Sequence, residues 1–407
     1  MEGRSHSLDT GDDDAVVVSS TSIPPIIQML AGYGNNGLQM GISGTEVADL
    51  VNDYRDLLDL LPRTKTNAIM EPIGSRTSNV GIGGGVKSGQ RRPLTHNVLH
   101  NFVAKEFDLT RFGIPWGTRV GVVLPNGPEL AVCIIGTVSR WCAAPINPSN
   151  TWQEIKSELE SSKAQVIIVQ AGIPHESALY AAGALSLGVI SITPSDDVCG
   201  LFSFSSLSKV KTVFREPTRS SQTVDGFARY NHPETVLLLH TSGTSGTKKL
   251  VPYSLDMLVI GVGCIISSWK LTPSDVCLNM MPLFHIGGIV RNIFSPILSG
   301  GTVIASSGFD PVLFWDVLGS QRVTSYYAAP TMHHAILQEA KSRAKPLSTG
   351  TMRYIANAAG GLLPVLAEAL KATFPSAVIL TSYGMTEVRL IGFRVGYRVR
   401  DLALPYR

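Results

Sequence analysis

The chain has 407 residues, 34 Lys and Arg against 31 Asp and Glu for a formal charge of +3, and 44% hydrophobic residues. Charged residues make up only 16%, below the roughly 25% of an average soluble protein, which describes a globular chain with a sizeable core. Near-neutral charge with no block of like charges and no basic stripe interleaved with aromatics excludes electrostatic nucleic-acid binding as the organising function.

At about 150 residues per domain, this length predicts two or three domains or one large α/β unit. Five cysteines (Cys133, Cys142, Cys199, Cys264, Cys277) form no CxxC pair. They read as buried thiols in a reducing compartment, not as a zinc site or a disulfide framework. The N-terminus is acidic where a secretory signal needs a basic start and an apolar run. The apolar stretch 257–269 is shorter than the roughly 20 residues of a membrane-spanning helix. The final Pro-Tyr-Arg is not a peroxisomal address, so a peroxisomal form would need a different C-terminus. These features predict a soluble, cytoplasmic protein.

Residues 1–22 are polar and acidic, and a disordered leader is expected there. From 23 to 61, apolar residues such as Val47, Leu50, Val51, Tyr54, Leu57 and Leu58 recur at helical spacing. Residues 77–90 are rich in Gly and Ser and read as a flexible surface insertion. Their GIGGGVKSG fits no nucleotide loop, because Val86 stands where a dinucleotide fingerprint needs glycine and no glycine directly precedes the lysine.

Beyond Arg92 the texture alternates between strands and helices. Strands are expected at 119–124, 165–170, 236–240, 276–280, 302–305, 325–327, 354–357 and 378–381, and helices at 129–140 and 152–162. Short, nearly continuous apolar strands between helices predict a mainly parallel sheet covered on both faces. The expected division is a first α/β unit over 23–217, a linker over 218–235, a second unit over 236–387 and an atypical tail over 388–407.

The sharpest local pattern is VLLLHTSGTSGTKKLVPY at 236–253. A buried strand runs into small hydroxyl residues and glycines and then two lysines, with a helix expected to follow. Such a loop turns backbone N–H groups and hydroxyls toward an anion, and a lysine adds a point charge suited to phosphate. This segment resembles the phosphate-binding signature of the adenylate-forming superfamily, which includes acyl-CoA synthetases, 4-coumarate-CoA ligases and peptide-synthetase adenylation domains. Thr241, Ser242, Gly243, Thr244, Ser245, Gly246 and Lys249 match it; Lys248 replaces the family's proline and Leu250 its last glycine. Further stretches agree in order: VGVVLPNGPELAVCIIG, then MPLFHIGG at 281–288, NAAGGL at 357–362 and YGMTE at 383–387.

The resemblance implies the α/β fold of that superfamily's large N-terminal domain, with two sheet-containing subdomains and no C-terminal lid domain. It implies an acid–thiol ligase that uses ATP and Mg²⁺ to convert a carboxylic acid into an acyl-adenylate and passes the acyl group to CoA. Thr241 to Gly246 and Lys249 would hold the β- and γ-phosphates. Thr386 would meet the α-phosphate, Glu387 would hold Mg²⁺, and Tyr383 and Gly384 would sit at the adenine with Gly360 and Gly361. His285, Ile286 and Gly287 would border the acyl pocket, whereas His333 and His334 read as structural. The family's T-G-D motif and C-terminal catalytic lysine have no counterpart in the last twenty residues. The chain as it stands is therefore expected to bind adenine nucleotide weakly and to complete few or no turnovers. Two other functions stay open, an adenylation domain loading a carrier-protein thiol and a non-catalytic nucleotide-binding fragment.

Overall fold

Strands form where apolar and β-branched residues run without interruption, because a strand covered on both faces has no solvent side. Val166–Gln170 (VIIVQ) and Thr302–Ala305 (TVIA) show this, with every residue but Gln170 buried. The computed structural model describes Tyr54 and residues 56–73, 90–207, 234–241, 248–344, 346–357, 359–381 and 386. The expected leader, most of the helical stretch 23–61, nearly all of the Gly-rich insertion, most of the linker and the tail lie outside these residues.

The strands are, in chain order, β1 (Asn67–Met70), β2 (Leu94–Thr95), β3 (Arg119–Val122), β4 (Cys142–Pro145), β5 (Val166–Gln170), β6 (Gly188–Pro194) and β7 (Phe202–Ser206). They continue with β8 (Leu237–His240), β9 (Leu250–Tyr253), β10 (Val276–Asn279), β11 (Thr302–Ala305), β12 (Ser325–Ala328), β13 (Tyr354–Asn357) and β14 (Val378–Thr381). One seven-stranded sheet has the order β14-β13-β12-β10-β11-β1-β2 and the other β7-β6-β5-β3-β4-β8-β9. Pairing is parallel except at three edge pairs, β1–β2, β6–β7 and β8–β9.

The sheets interleave along the sequence, so neither is built only from residues on one side of 218–235. β1 comes from the first half yet pairs with β11, Ile69 opposite Val303. β8 follows the expected linker yet pairs with β4, Ala143 opposite Leu237. Local patterning cannot report such pairings, because a four-residue strand carries no mark of which sheet it completes. One expectation is corrected at 241–249. The segment is followed not by a helix but by β9, which runs back antiparallel along β8. The helix Leu255–Trp269 comes only afterwards, capped by the Ser254 hydroxyl, which accepts from the Met257 N–H.

One apolar cluster includes Val120, Ile168 and Leu239 of one sheet, Val303, Tyr327 and Leu380 of the other, and Val262 and Ile293 of the helices. Polar bonds reinforce this join. Arg91 pairs with Glu71, just past β1, and with Glu129 at the start of the helix that follows β3. Burial alone would lower the Arg91 pKa, but the two carboxylates outweigh it and raise it, so the guanidinium stays charged.

His333 is wholly buried, with Nδ1 3.1 Å from the Tyr326 hydroxyl. Burial, with a smaller contribution from His334, pushes its pKa down to about 4. An unfolded imidazole titrates near 6.5, so between these values the unfolded chain binds the proton more tightly. Stability is therefore expected to be full above the unfolded pKa and to fall as pH drops through this window. The loss should reach about 2 kcal/mol by mildly acidic pH. Denaturant unfolding at pH 7 and at about pH 4.5 reads this, and equal unfolding free energies would contradict it.

Candidate functional site

In open parallel sheets ligands bind beyond the carboxyl ends of the strands, and the motif-bearing segments gather there. The 241–249 segment leaves β8, 281–288 leaves β10, 357–361 leaves β13 and Thr386 follows β14. The loop 241–249 is closed at its base. The Thr241 N–H donates to the Lys249 carbonyl at 2.9 Å, and the Lys249 N–H donates to the Thr241 hydroxyl at 3.2 Å. Thr241 is buried and Lys249 exposed. Ser242, Gly243, Thr244, Ser245 and Gly246 lie outside the described residues, as do Tyr383, Gly384 and Glu387.

Thr386 is placed by the same hairpin. The Tyr253 hydroxyl, at the end of β9, donates to the Thr386 carbonyl. The β8–β9 hairpin thus reaches the Thr386 main chain although 133 residues separate the bonded pair. At the end of β13, the Asn357 amide donates to the Gly360 carbonyl at 2.9 Å, and Ala359 takes the left-handed conformation with φ 60°. Gly360 and Gly361 are both exposed. A Cβ on Gly360 would sit 3.2 Å from Pro330, whereas one on Gly361 would meet nothing within 4 Å. A side chain would therefore crowd Pro330 at Gly360 and find open space at Gly361.

His285 is exposed, with its ring against Phe284 at a centroid distance of 4.9 Å. Its pKa lies below the ordinary imidazole value, chiefly through desolvation of the ring and then through the charge of Lys248, with Glu158 acting the other way. Ile286 is half-buried, and Gly287 begins a buried π-helix, Gly287–Phe294. A Cβ on Gly287 would lie 3.0 Å from the Tyr327 hydroxyl.

Asn126 was missed as a site residue; its LPNGP stretch reads from sequence only as a turn. Its amide donates to the Ser306 carbonyl at 2.9 Å and the Met281 carbonyl at 3.3 Å, and its oxygen accepts from the Leu283 N–H at 3.0 Å. A side chain at the end of one sheet thereby fixes the 281–285 turn at the end of the other. Asn126→Ala would leave these main-chain groups without that partner. It is expected to lower stability by about 2 kcal/mol, within the 1–3 kcal/mol of an unsatisfied buried group. It should also weaken acid binding more than ATP binding. Equal stability, or equal losses for both ligands, would contradict this.

Glu158, on the helix Trp152–Ser162, was also missed. Its side chain is 8% exposed and meets Lys248 Nζ at 2.5 Å and the Asn150 amide at 3.0 Å. His240 Nδ1 is 3.6 Å away, and His240 Nε2 lies 2.9 Å from the Ser161 hydroxyl. Desolvation holds the His240 pKa below the ordinary value; Glu158 opposes this and Lys248 adds to it.

Other features lie apart from this site. A groove of about 670 Å³ lined by Trp152, Leu179 and Tyr180 shares none of the predicted residues. Burial pushes the thiols of Cys133, Cys142, Cys199 and Cys277 up to about 12, which keeps them protonated and inert. Among the described residues, no group of three His, Cys, Asp or Glu could hold a metal ion, and no helix is long and apolar enough to cross a membrane.

Known proteins resemble this chain in sequence and in fold. The AMP-binding enzyme family profile matches residues 108–404. An oxalate–CoA ligase of Arabidopsis thaliana is 29% identical over 301 residues, covering 72% of this chain and 56% of that protein. A probable CoA ligase of Humulus lupulus is 31% identical over 302 residues, covering 72% and 54%. The chain thus spans about half the length of these relatives. In fold it is similar to ATP-bound MatB from Rhodopseudomonas palustris, with TM-score 0.63, 20% identity and coverage of 83% of this chain and 61% of that one.

Proposed function

The chain belongs to the AMP-binding enzyme family, and from that premise we propose that it carries the nucleotide and acid sites of an ATP-dependent acid:CoA ligase. One arrangement supports this most: the closed Thr241–Lys249 loop, Thr386 bound to Tyr253, and the 281–285 turn held by Asn126 all lie beyond the carboxyl ends of their strands. In the reaction proposed, a carboxylate oxygen attacks the α-phosphorus of ATP and pyrophosphate leaves, giving an acyl-adenylate. The CoA sulfur then attacks the acyl carbon and AMP leaves.

Charge builds on phosphate oxygens throughout, so positioning and electrostatic stabilisation carry the rate. The 241–246 backbone and hydroxyls with Lys249 would bind the β- and γ-phosphates, and Thr386 the α-phosphate. Tyr383, Gly384, Gly360 and Gly361 would receive the adenine, and His285, Ile286 and Gly287 the acid. Mg²⁺ would be held by Glu387 together with the phosphates, a donor set that suits an ion taking one or two carboxylates plus phosphate oxygens. When bound, it would neutralise charge on the leaving pyrophosphate.

The activity test is exchange of labelled pyrophosphate into ATP over a panel of aliphatic, aromatic and dicarboxylic acids. Acid-dependent exchange supports activation. ATP binding with no acid-dependent exchange would favour a non-catalytic nucleotide-binding role. The names of the relatives favour CoA over a carrier-protein thiol as acceptor. Offering both acceptors to the adenylate and following thioester formation decides between them.

A further inference from the structure

Lys248 stands where the adenylate-forming signature carries proline. A proline stiffens a loop by locking φ near −65°, and lysine supplies no such restraint. The structure shows what stands in its place. Lys248 Nζ lies 2.5 Å from Glu158 Oε1, on a carboxylate with a side chain only 8% exposed. Asn150 donates to the same oxygen at 3.0 Å, and His240, the last residue of β8, faces the other oxygen at 3.6 Å. A buried carboxylate without a counter-charge is strongly unfavourable, so the pair holds Lys248 against the helix Trp152–Ser162. The next residue, Lys249, is tied through its backbone to Thr241.

We propose that Glu158 and Lys248 form an anchor that positions the returning arm of the phosphate loop, so that Lys249 is presented to the β- and γ-phosphates. Glu158 and Lys248 are positioning residues, acting on the nucleotide through the loop and not by contact. The proposal rests on the reading that 241–249 binds ATP. At His285 burial is the main cause of the lowered pKa, and Lys248 and Glu158 act on it in opposite directions.

The test uses the full chain and the variants Glu158→Gln, Lys248→Met, their double and Lys248→Arg. Calorimetry reads the dissociation constants of Mg-ATP and AMP, and hydrogen exchange reads the Lys249 and Leu250 amides. Each single variant should weaken ATP about fivefold, and the double no more than the worse single, because both remove one coupled interaction. AMP, which lacks the β- and γ-phosphates, should change by less than about twofold, and Lys248→Arg should keep ATP affinity within about twofold of the parent. Losses that multiply in the double, or that fall equally on AMP, would overturn the anchor. If the parent chain binds no ATP, the functional reading fails and the exchange data judge the anchor alone. Protection of the two amides should then drop equally in both singles and the double, and unchanged protection would refute it.

Discussion

Lys249→Ala is expected to weaken ATP binding by about tenfold or more while leaving the fold intact. A charge-assisted hydrogen bond contributes about 1.5–3 kcal/mol, and each 1.4 kcal/mol is a factor of about ten in affinity. The side chain is exposed, and the bonds that close the loop use the Lys249 backbone, so truncation removes charge without opening the core. AMP should be largely spared, since the lysine is assigned to the β- and γ-phosphates. Calorimetric titration of both nucleotides reads this, and unchanged ATP affinity in a folded variant would remove Lys249 from the site. Lys248→Ala is expected to cause a smaller but measurable loss, because its ammonium meets the buried Glu158 carboxylate.

Gly288→Ala should have the largest structural effect. A Cβ there would lie 2.4 Å from the Pro282 carbonyl oxygen and 3.1 Å from its carbon. The obstacle is backbone, which cannot rotate away as a flexible side chain could. Pro282 is also held on both sides, because Asn126 binds the Met281 carbonyl and the Leu283 N–H. The 281–285 turn must therefore shift as a unit and carry His285 with it. Overpacking typically costs about 1–3 kcal/mol, and a loss at the upper end of that range, with impaired acid binding, is expected. Gly319→Ala is the control, since a Cβ there meets nothing within 4 Å. Denaturant unfolding of the two variants makes the comparison, and equal stabilities would show that the turn yields freely.

The class of fold was legible because parallel strands announce themselves one at a time. Thr302–Ala305, Tyr354–Asn357 and Val378–Thr381 occupy the expected positions, each a short, mostly apolar run that follows a helix. Pairing was not legible. Asn67–Met70 and Leu250–Tyr253 are short strands whose places are set by partners far along the chain, and no local period records that. In the site, the motifs carried the identity of groups that would touch ligand. They were silent on Glu158, Asn126 and Tyr253, which act on main chain or on a neighbouring charge. A helix-face glutamate four residues after Glu154 reads as solvated until the fold brings Lys248 to it.

The proposed function puts adenine nucleotide and carboxylic acid in one continuous site between the 241–249 loop and the 281–288 segment. Its most direct test is equilibrium binding of a non-reactive acyl-adenylate mimic, an acyl sulfamate of adenosine, beside AMP and the free acid. A mimic that spans both halves of one site should bind at least about 100-fold more tightly than AMP, as expected of a ligand resembling the high-energy species. Binding no tighter than AMP for every acyl group tried would contradict the shared site.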